Sequence, residues 1–364
     1  MVINMKKIIL LVMILLLVFL FSNKVQDKEI IKIEEEFYHV SLLAVGDNLI
    51  HSTIYEAVKS NNNYDFKPIF KEVKPLIRQY DLRFINQETI IGGKELGLST
   101  YPAFNSPYEL GDALVDAGFN LISIANNHTL DRGEIAVLNT IRYWDKLPVT
   151  YSGALDSSYK SNVKLFNKNG IKFAFVAYTY GTNGIPHPGG KEYLANVYSD
   201  QKAKVDIQKI RNIVDVVIVS MHWGEEYQDY PNELQKKQAR FLSSLGVDLI
   251  IGHHPHVIQP VELINSDSRD TFIIYSLGNF LSDQKGIDRL IGMSVSVDIY
   301  KSKLNNRVII RNHKATLLYR YKNNNEFKIK IFHDLNNEYL SDYIKYFEQK
   351  KELIQAFYKD IEVN

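Results

Sequence analysis

The sequence predicts an α/β fold whose strands carry a ligand site at their carboxyl ends, and three observations predict it. From about Phe37 onward, short β-branched runs alternate with amphipathic helical stretches, the pattern of strands buried on both faces and joined by helices. Six of those runs stop in residues that bind ions or substrates: "GDNLIH" after "LLAV", "NQET" after "LRFI", "NNHTLD" after "LISIA", "MHWGEE" after "VVIVS", "HHPH" after "LIIG" and "LGNF" after "FIIYS". Six of the ten histidines, His51, His128, His222, His253, His254 and His256, fall inside these endings. In an open α/β sheet ligands bind beyond the carboxyl ends of the strands, so residues far apart in sequence can meet in one crevice.

Composition bounds the chemistry. A chain of 364 residues, 45% hydrophobic, can bury a full core in one large domain or two modest ones. Lys and Arg total 43 against 42 Asp and Glu, so no basic field draws the protein to nucleic acid, and none is expected as a partner. The absence of cysteine excludes disulfides, thiolate nucleophiles and cysteine-ligated zinc. No Walker, GxGxxG or GxSxG pattern occurs.

Taken in order, "MKK" (Met5 to Lys7) precedes fourteen unbroken apolar residues, Ile8 to Phe21, and neither an A-x-A-like cleavage site nor a lipobox cysteine follows. Residues 1–22 are therefore expected to be a signal anchor, and 23–37 a charged tether. Lysines on the amino-terminal side place the rest outside the cytoplasm, at the cell membrane. Residues 38–290 hold the strand endings. There, imidazole, carboxylate and amide oxygen without thiolate suit one or two first-row divalent ions such as manganese, iron or zinc. Two ions would need a bridging carboxylate and could activate water and clamp a phosphoryl group. Gly46, Gly252 and Gly278 are expected as turn residues, and "GTNGIPHPGG" (Gly181 to Gly190) as a surface loop able to cover the crevice. Residues 291–364 alternate like exposed antiparallel strands, read as an edge of the second sheet or a small appendage. A last helix follows over about Asn337 to Ile361 and packs on the domain.

The endings "VGDNLIH", "INQET", "ANNHTLDRG", "MHWGEEY", "GHHPHVIQ" and "YSLGNFLSDQ", in this order, resemble the CapA family of poly-gamma-glutamate synthesis and capsule biosynthesis proteins. The resemblance runs from about Ser41 to Gln284. It implies a calcineurin-like metallophosphoesterase fold, a four-layer sandwich of two mixed sheets between helices. It also implies work on an extracellular polyanion such as poly-gamma-glutamate, beside other capsule synthesis proteins. Carried over, it makes Asp47, Glu88, Asn127, His222, His254 and His256 metal ligands, Glu88 standing where the bridging aspartate usually sits. His128 becomes the group that meets the leaving oxygen. Leu49 occupies the place of the usual first-motif histidine, with His51 the nearest substitute. Asp131, set with His128 in the chemistry, and Glu225 are candidate compensating carboxylates, and His253 and Asn279 are supporting positions. Two functions follow: a metal-dependent hydrolase or transferase acting on a surface polymer, or a non-catalytic scaffold that binds the polyanion.

Overall fold

Alternate residues along the strands enter different cores, and that alternation builds the layers. The computed structural model describes residues 4–22, 36–61, 63–158, 161–266 and 269–364. Its strands are β1 (Phe37–Asn48), β2 (Lys59–Ser60), β3 (Asn63–Tyr64), β4 (Leu82–Gln87), β5 (Leu121–Ser123), β6 (Thr150–Ser152), β7 (Lys164–Lys168), β8 (Ile171–Thr179) and β9 (Val216–His222). They continue with β10 (Leu249–His253), β11 (Val261–Ile264), β12 (Thr271–Ile274), β13 (Asn279–Leu281), β14 (Ile291–Ser302), β15 (Val308–Asn323), β16 (Glu326–Ile331) and β17 (Glu362–Val363). The first sheet has the order β16-β15-β14-β1-β4-β5-β6, with β13 on β1 and β17 on β15; the second runs β11-β12-β10-β9-β8-β7. Both are mixed, with parallel centres (β1, β4, β5 and β6; β8, β9, β10 and β12) flanked by antiparallel strands.

Leu42 and Ala44 of β1 face Phe173, Phe175, Ile218 and Ile251 of the second sheet, forming the core between the sheets. Their neighbours Leu43 and Val45 turn the other way, onto Leu114 and Ile141 of the helices Tyr108–Ala117 and Gly133–Trp144. Val176, Val219 and Ile250 likewise meet Ile207 and Leu242 of the helices Asp200–Ile210 and Glu233–Ser244. The result is a helix, sheet, sheet, helix sandwich.

The carboxyl-terminal region differs from the sequence expectation. β14 is paired directly with β1 and is buried along most of its length, so β14 to β16 form one flank of the first sheet and not an edge of the second. Their alternation looked like exposure because both faces of a mixed sheet can be covered while polar residues still occur at intervals. The last helix is Tyr343–Ile354, shorter than expected, and it packs on the core between the sheets through Phe347 and Ile354.

At the other end Met5–Ser22 is helical. Eighteen residues at about 1.5 Å each rise about 27 Å, just under a hydrocarbon core of about 30 Å. Among the described residues no helix is long and apolar enough to cross a membrane. Most of the tether, residues 23–35, lies outside the described residues.

Candidate metal centre

A bulge places Asp47. The β1–β4 register slips between Val45 and Asp47, which passes over Gly46 and re-aims the side chain after it. Only glycine fits there, because a Cβ on Gly46 would lie 1.8 Å from the carbonyl oxygen of Gly278, itself at φ +68°. The fully buried Asp47 carboxylate accepts from Asn86 Nδ2 at 2.8 Å and from the His254 backbone N–H at 3.3 Å, and lies 3.1 Å from His256 Nδ1. Burial works to raise its pKa, but His256, His253 and Asn86 together outweigh that and hold it below the usual carboxylate value.

Glu88, the residue after β4 and Gln87, is also fully buried, yet neither carboxylate oxygen has a hydrogen-bond partner among the described residues. His222 Nε2 and His256 Nε2 each lie 3.6 Å from its Oε1. Burial, reinforced by the charge of Asp47, pushes the Glu88 carboxyl well above its ordinary value despite His256.

The histidines come from the second sheet. β9 and β10 are parallel, with His222 opposite His253. Past His253 the backbone enters left-handed conformations at His254 (φ +97°) and His256 (φ +59°), which cost a non-glycine residue on the order of 1–3 kcal/mol each. Burial pulls His254 down to about 3, His253 down to about 4 and His222 well below its ordinary value, so all three are neutral ligand-type imidazoles at neutral pH. His256 goes the other way: burial would lower it, but Glu88 and Asp47 raise it to about 9.

These side chains form two adjoining ligand sets, Asp47–Glu88–His256 and Glu88–His222–His254, with the ligand atoms of each within 4.8 Å of one another. Glu88 belongs to both. A third set joins Glu226 to His254 and His256. Asn127 Oδ1 is 2.9 Å from His222 Nε2, which ties the amide to the cluster. Beside it, His128 Nδ1 lies 2.7 Å from Asp131 Oδ2, an oxygen that also accepts the Phe104 backbone N–H at 2.7 Å, and the ring stands edge-on to Phe104.

Other expected positions fall differently. His51 joins none of the ligand sets: its Nδ1 accepts from the Asp283 backbone N–H at 3.2 Å, so it does not replace the histidine missing at Leu49. Glu225 is exposed and accepts from Asn232 at 3.4 Å; its neighbour Glu226 reaches the cluster instead, because successive side chains diverge. His253 is fully buried, stacked on Phe84 at 5.2 Å and 3.9 Å from Asp47. Asn279 supports His256, with Oδ1 3.1 Å from Nδ1. Two residues of the site went unnamed in the sequence: Asn86, although it stands two residues before Glu88 in the same strand ending, and Asn183. Asn183 sits in the Gly181–Gly190 loop and touches both Asn127 and His128.

The donor set suits a divalent ion. Two buried carboxylates, three imidazoles and an amide oxygen converge without thiolate, and Glu88 and the His254 Nδ1 have no partner among the described residues. Fold and site together define a two-sheet α/β protein with a buried carboxylate–imidazole centre of metal-binding type. More particularly, the chain belongs to the bacterial capsule synthesis protein family PGA_cap, whose pattern matches residues 41–284. It is 29% identical over 284 residues to the PGA biosynthesis protein CapA of Bacillus subtilis, a match spanning 75% of this chain and 70% of that one. With the capsule biosynthesis protein CapA of Bacillus anthracis the identity is 30% over 262 residues, spanning 67% and 60%. Among solved structures, a phosphatase from Mycoplasma pneumoniae aligns with a TM-score of 0.49 and 15% identity over 78% of this chain and 95% of that one, a likeness too loose to carry a functional argument.

Proposed function

We propose that this chain works outside the cytoplasm in making, exporting or anchoring a capsular polyanion such as poly-gamma-glutamate, through a divalent-metal hydrolase site at its strand ends. The observation that carries the reading is Glu88: a fully buried carboxylate without an internal partner, common to two adjoining ligand sets. Leaving such a group unsatisfied costs on the order of 1–3 kcal/mol, which a bound cation would offset. The names of the relatives supply the biological setting, capsule and poly-gamma-glutamate synthesis.

Asp47, Glu88, Asn127, His222, His254 and His256 would hold one or two ions, and Glu226 joins them from the rim. When bound, the ions supply a Lewis acid that polarises a phosphoryl or carbonyl oxygen. The protein's own part is proton transfer and orientation. Asp131 fixes the His128 ring through Nδ1, leaving Nε2 as the atom that gives or takes a proton at the leaving group. Asn127 and Asn183 hold the neighbouring wall. The helix Met5–Ser22 keeps the chain at the membrane, beside other capsule synthesis proteins.

Elemental analysis of the full-length chain, with turnover of a simple phosphodiester and of poly-gamma-glutamate, tests this. Bound manganese, iron or zinc with turnover is expected. A chain that retains none of these metals ends the metalloenzyme reading, and one that binds metal without turnover leaves a scaffold. Protease added to intact cells should clip the chain; recovery intact in the cytosolic fraction would remove the extracytoplasmic role.

A further inference from the structure

Beside the cluster, the rim carries a cation whose surroundings leave it open. Arg289 lies with its guanidinium 4.5 Å over the ring of Tyr227, and that ring is in turn 6.2 Å from the imidazole of His256. The pair is built into the site's own frame. Asn279, whose Oδ1 meets His256, donates from Nδ2 to the Arg289 carbonyl at 3.0 Å and to Gln284 Oε1 at 2.9 Å, and Gln284 Nε2 reaches the Tyr227 hydroxyl at 3.3 Å.

Two nearby acids are engaged elsewhere: Asp288 pairs with Lys350 at 2.8 Å, and Asp283 with Lys322 and Arg320. Glu226 stands beside Tyr227, whose hydroxyl it bonds, and next to His254 and His256. Among the described residues no carboxylate lies within ion-pair distance of Arg289. Its guanidinium carbon stands 4.5 Å from the Tyr227 ring centroid, and a guanidinium's in-plane N–H donors match the two oxygens of a carboxylate.

We propose that Arg289, seated on Tyr227, is an anion subsite that binds a carboxylate of the polymer chain and so sets the neighbouring linkage against the metal cluster. For the identity of that polymer the inference rests on the function proposed above. A polymer with one carboxylate on every repeat would present such a group a short, fixed distance from each linkage, whichever linkage occupies the cluster. The subsite thus selects anionic chains over neutral ones.

The experiment is binding of a fluorescent oligo-gamma-glutamate to the metal-loaded, full-length chain, followed by anisotropy. Arg289→Gln should weaken binding by about tenfold to a hundredfold, the scale of a charge-assisted hydrogen-bonded contact. Arg289→Lys, which keeps the charge and loses the fork, should fall between. Arg311→Gln is the control: it removes the same charge from a second arginine–tyrosine stack, on Tyr300, near the opposite end of β14 from the site, and should bind as wild type does. Equal losses in Arg289→Gln and Arg311→Gln would reduce the effect to net charge and overturn the proposal. So would no loss in Arg289→Gln, no binding by wild type, or displacement by millimolar inorganic phosphate, which would assign the position to phosphoryl oxygens. Metal content and phosphodiester turnover on the same preparations keep the two readings apart. A chain without metal sinks the hydrolase, whereas a metal-loaded chain indifferent to Arg289 sinks only the subsite.

Discussion

Two regions of this protein bury charge, and they treat it in opposite ways. At the junction of β15 with the β13–β14 connection, Asp283 accepts from Thr53 at 2.7 Å and from Lys322 at 2.9 Å, with Arg320 at 3.4 Å. Nearby, Lys330 pairs with Glu72 at 2.8 Å. Each charge there has an opposite, permanently charged group of the chain within ion-pair distance, although Asp283 Oδ1 and Arg320 Nε make no hydrogen bond. At the strand ends no lysine or arginine lies within ion-pair distance of Asp47 or Glu88 among the described residues: both oxygens of Glu88, Nδ1 of His254 and Oδ1 of Asn86 make no hydrogen bond, Glu88 meets only imidazoles at 3.6 Å, and two histidines sit at positive φ. A closed set of charges holds a fold together, whereas an open set held at the same depth is a place for something else. The contrast separates structural burial from a binding site without reference to any relative.

The largest expected effect lies inside the open region. His128→Ala should lower any hydrolysis by about 10²-fold to 10⁴-fold, the usual scale for a general acid or base, while metal content stays at the wild-type level. Single-turnover kinetics with elemental analysis checks both halves. Loss of metal together with activity would make His128 a ligand and would move the boundary between the ion cluster and the proton-transfer pair.

A matched pair of neutralisations tests the comparison itself. Asp283→Asn should cost about 3 kcal/mol in chemical denaturation, because it leaves buried Arg320 and half-buried Lys322 without their partner, and should leave metal content alone. Glu88→Gln should do the reverse, raising metal-free stability by about 1–3 kcal/mol while abolishing metal retention. Wild type should show the Asp283 loss as a pH effect. Burial alone would raise that carboxyl, but the hydrogen bonds from Lys322 and Thr53 and the nearby cations hold it below its ordinary value. Its contribution is therefore complete above the unfolded carboxyl's pKa near 4 and disappears as pH falls through the lower folded value. Equal destabilisation by the two substitutions would erase the distinction drawn between the regions.

The smallest effect concerns strain. His254→Ala and His254→Gly should both lose metal, but the glycine variant should be more stable by about 1 kcal/mol, since φ +97° burdens alanine and not glycine. Thermal denaturation of the two variants side by side reads this difference, and equal stability would mean that the backbone at His254 stores no strain.

Much of this was legible in the sequence, and for a local reason. Strand endings announce themselves, because an apolar run that stops in Asp, Glu, Asn or His is both a boundary and a cluster of donors. That pattern marked the six segments, and the choice of Asp47, Glu88, Asn127, His222, His254 and His256 within them came from the resemblance to the CapA family. What the sequence by itself determined is therefore the α/β class, the six strand ends and the chemical type of the site. The tertiary structure decided the rest. It chose Glu226 over Glu225, because which of two adjacent side chains faces a cluster depends on the path of a loop without periodicity. It drew Asn183 from a distant loop to His128 and left His51 on Asp283. It set β14 against β1, because the pairing of strands more than 240 residues apart is fixed by which faces must share a core and not by any signal within either strand. And it made Glu88 the carboxylate common to two ligand sets, since sharing is a matter of distance between side chains that the sequence keeps far apart.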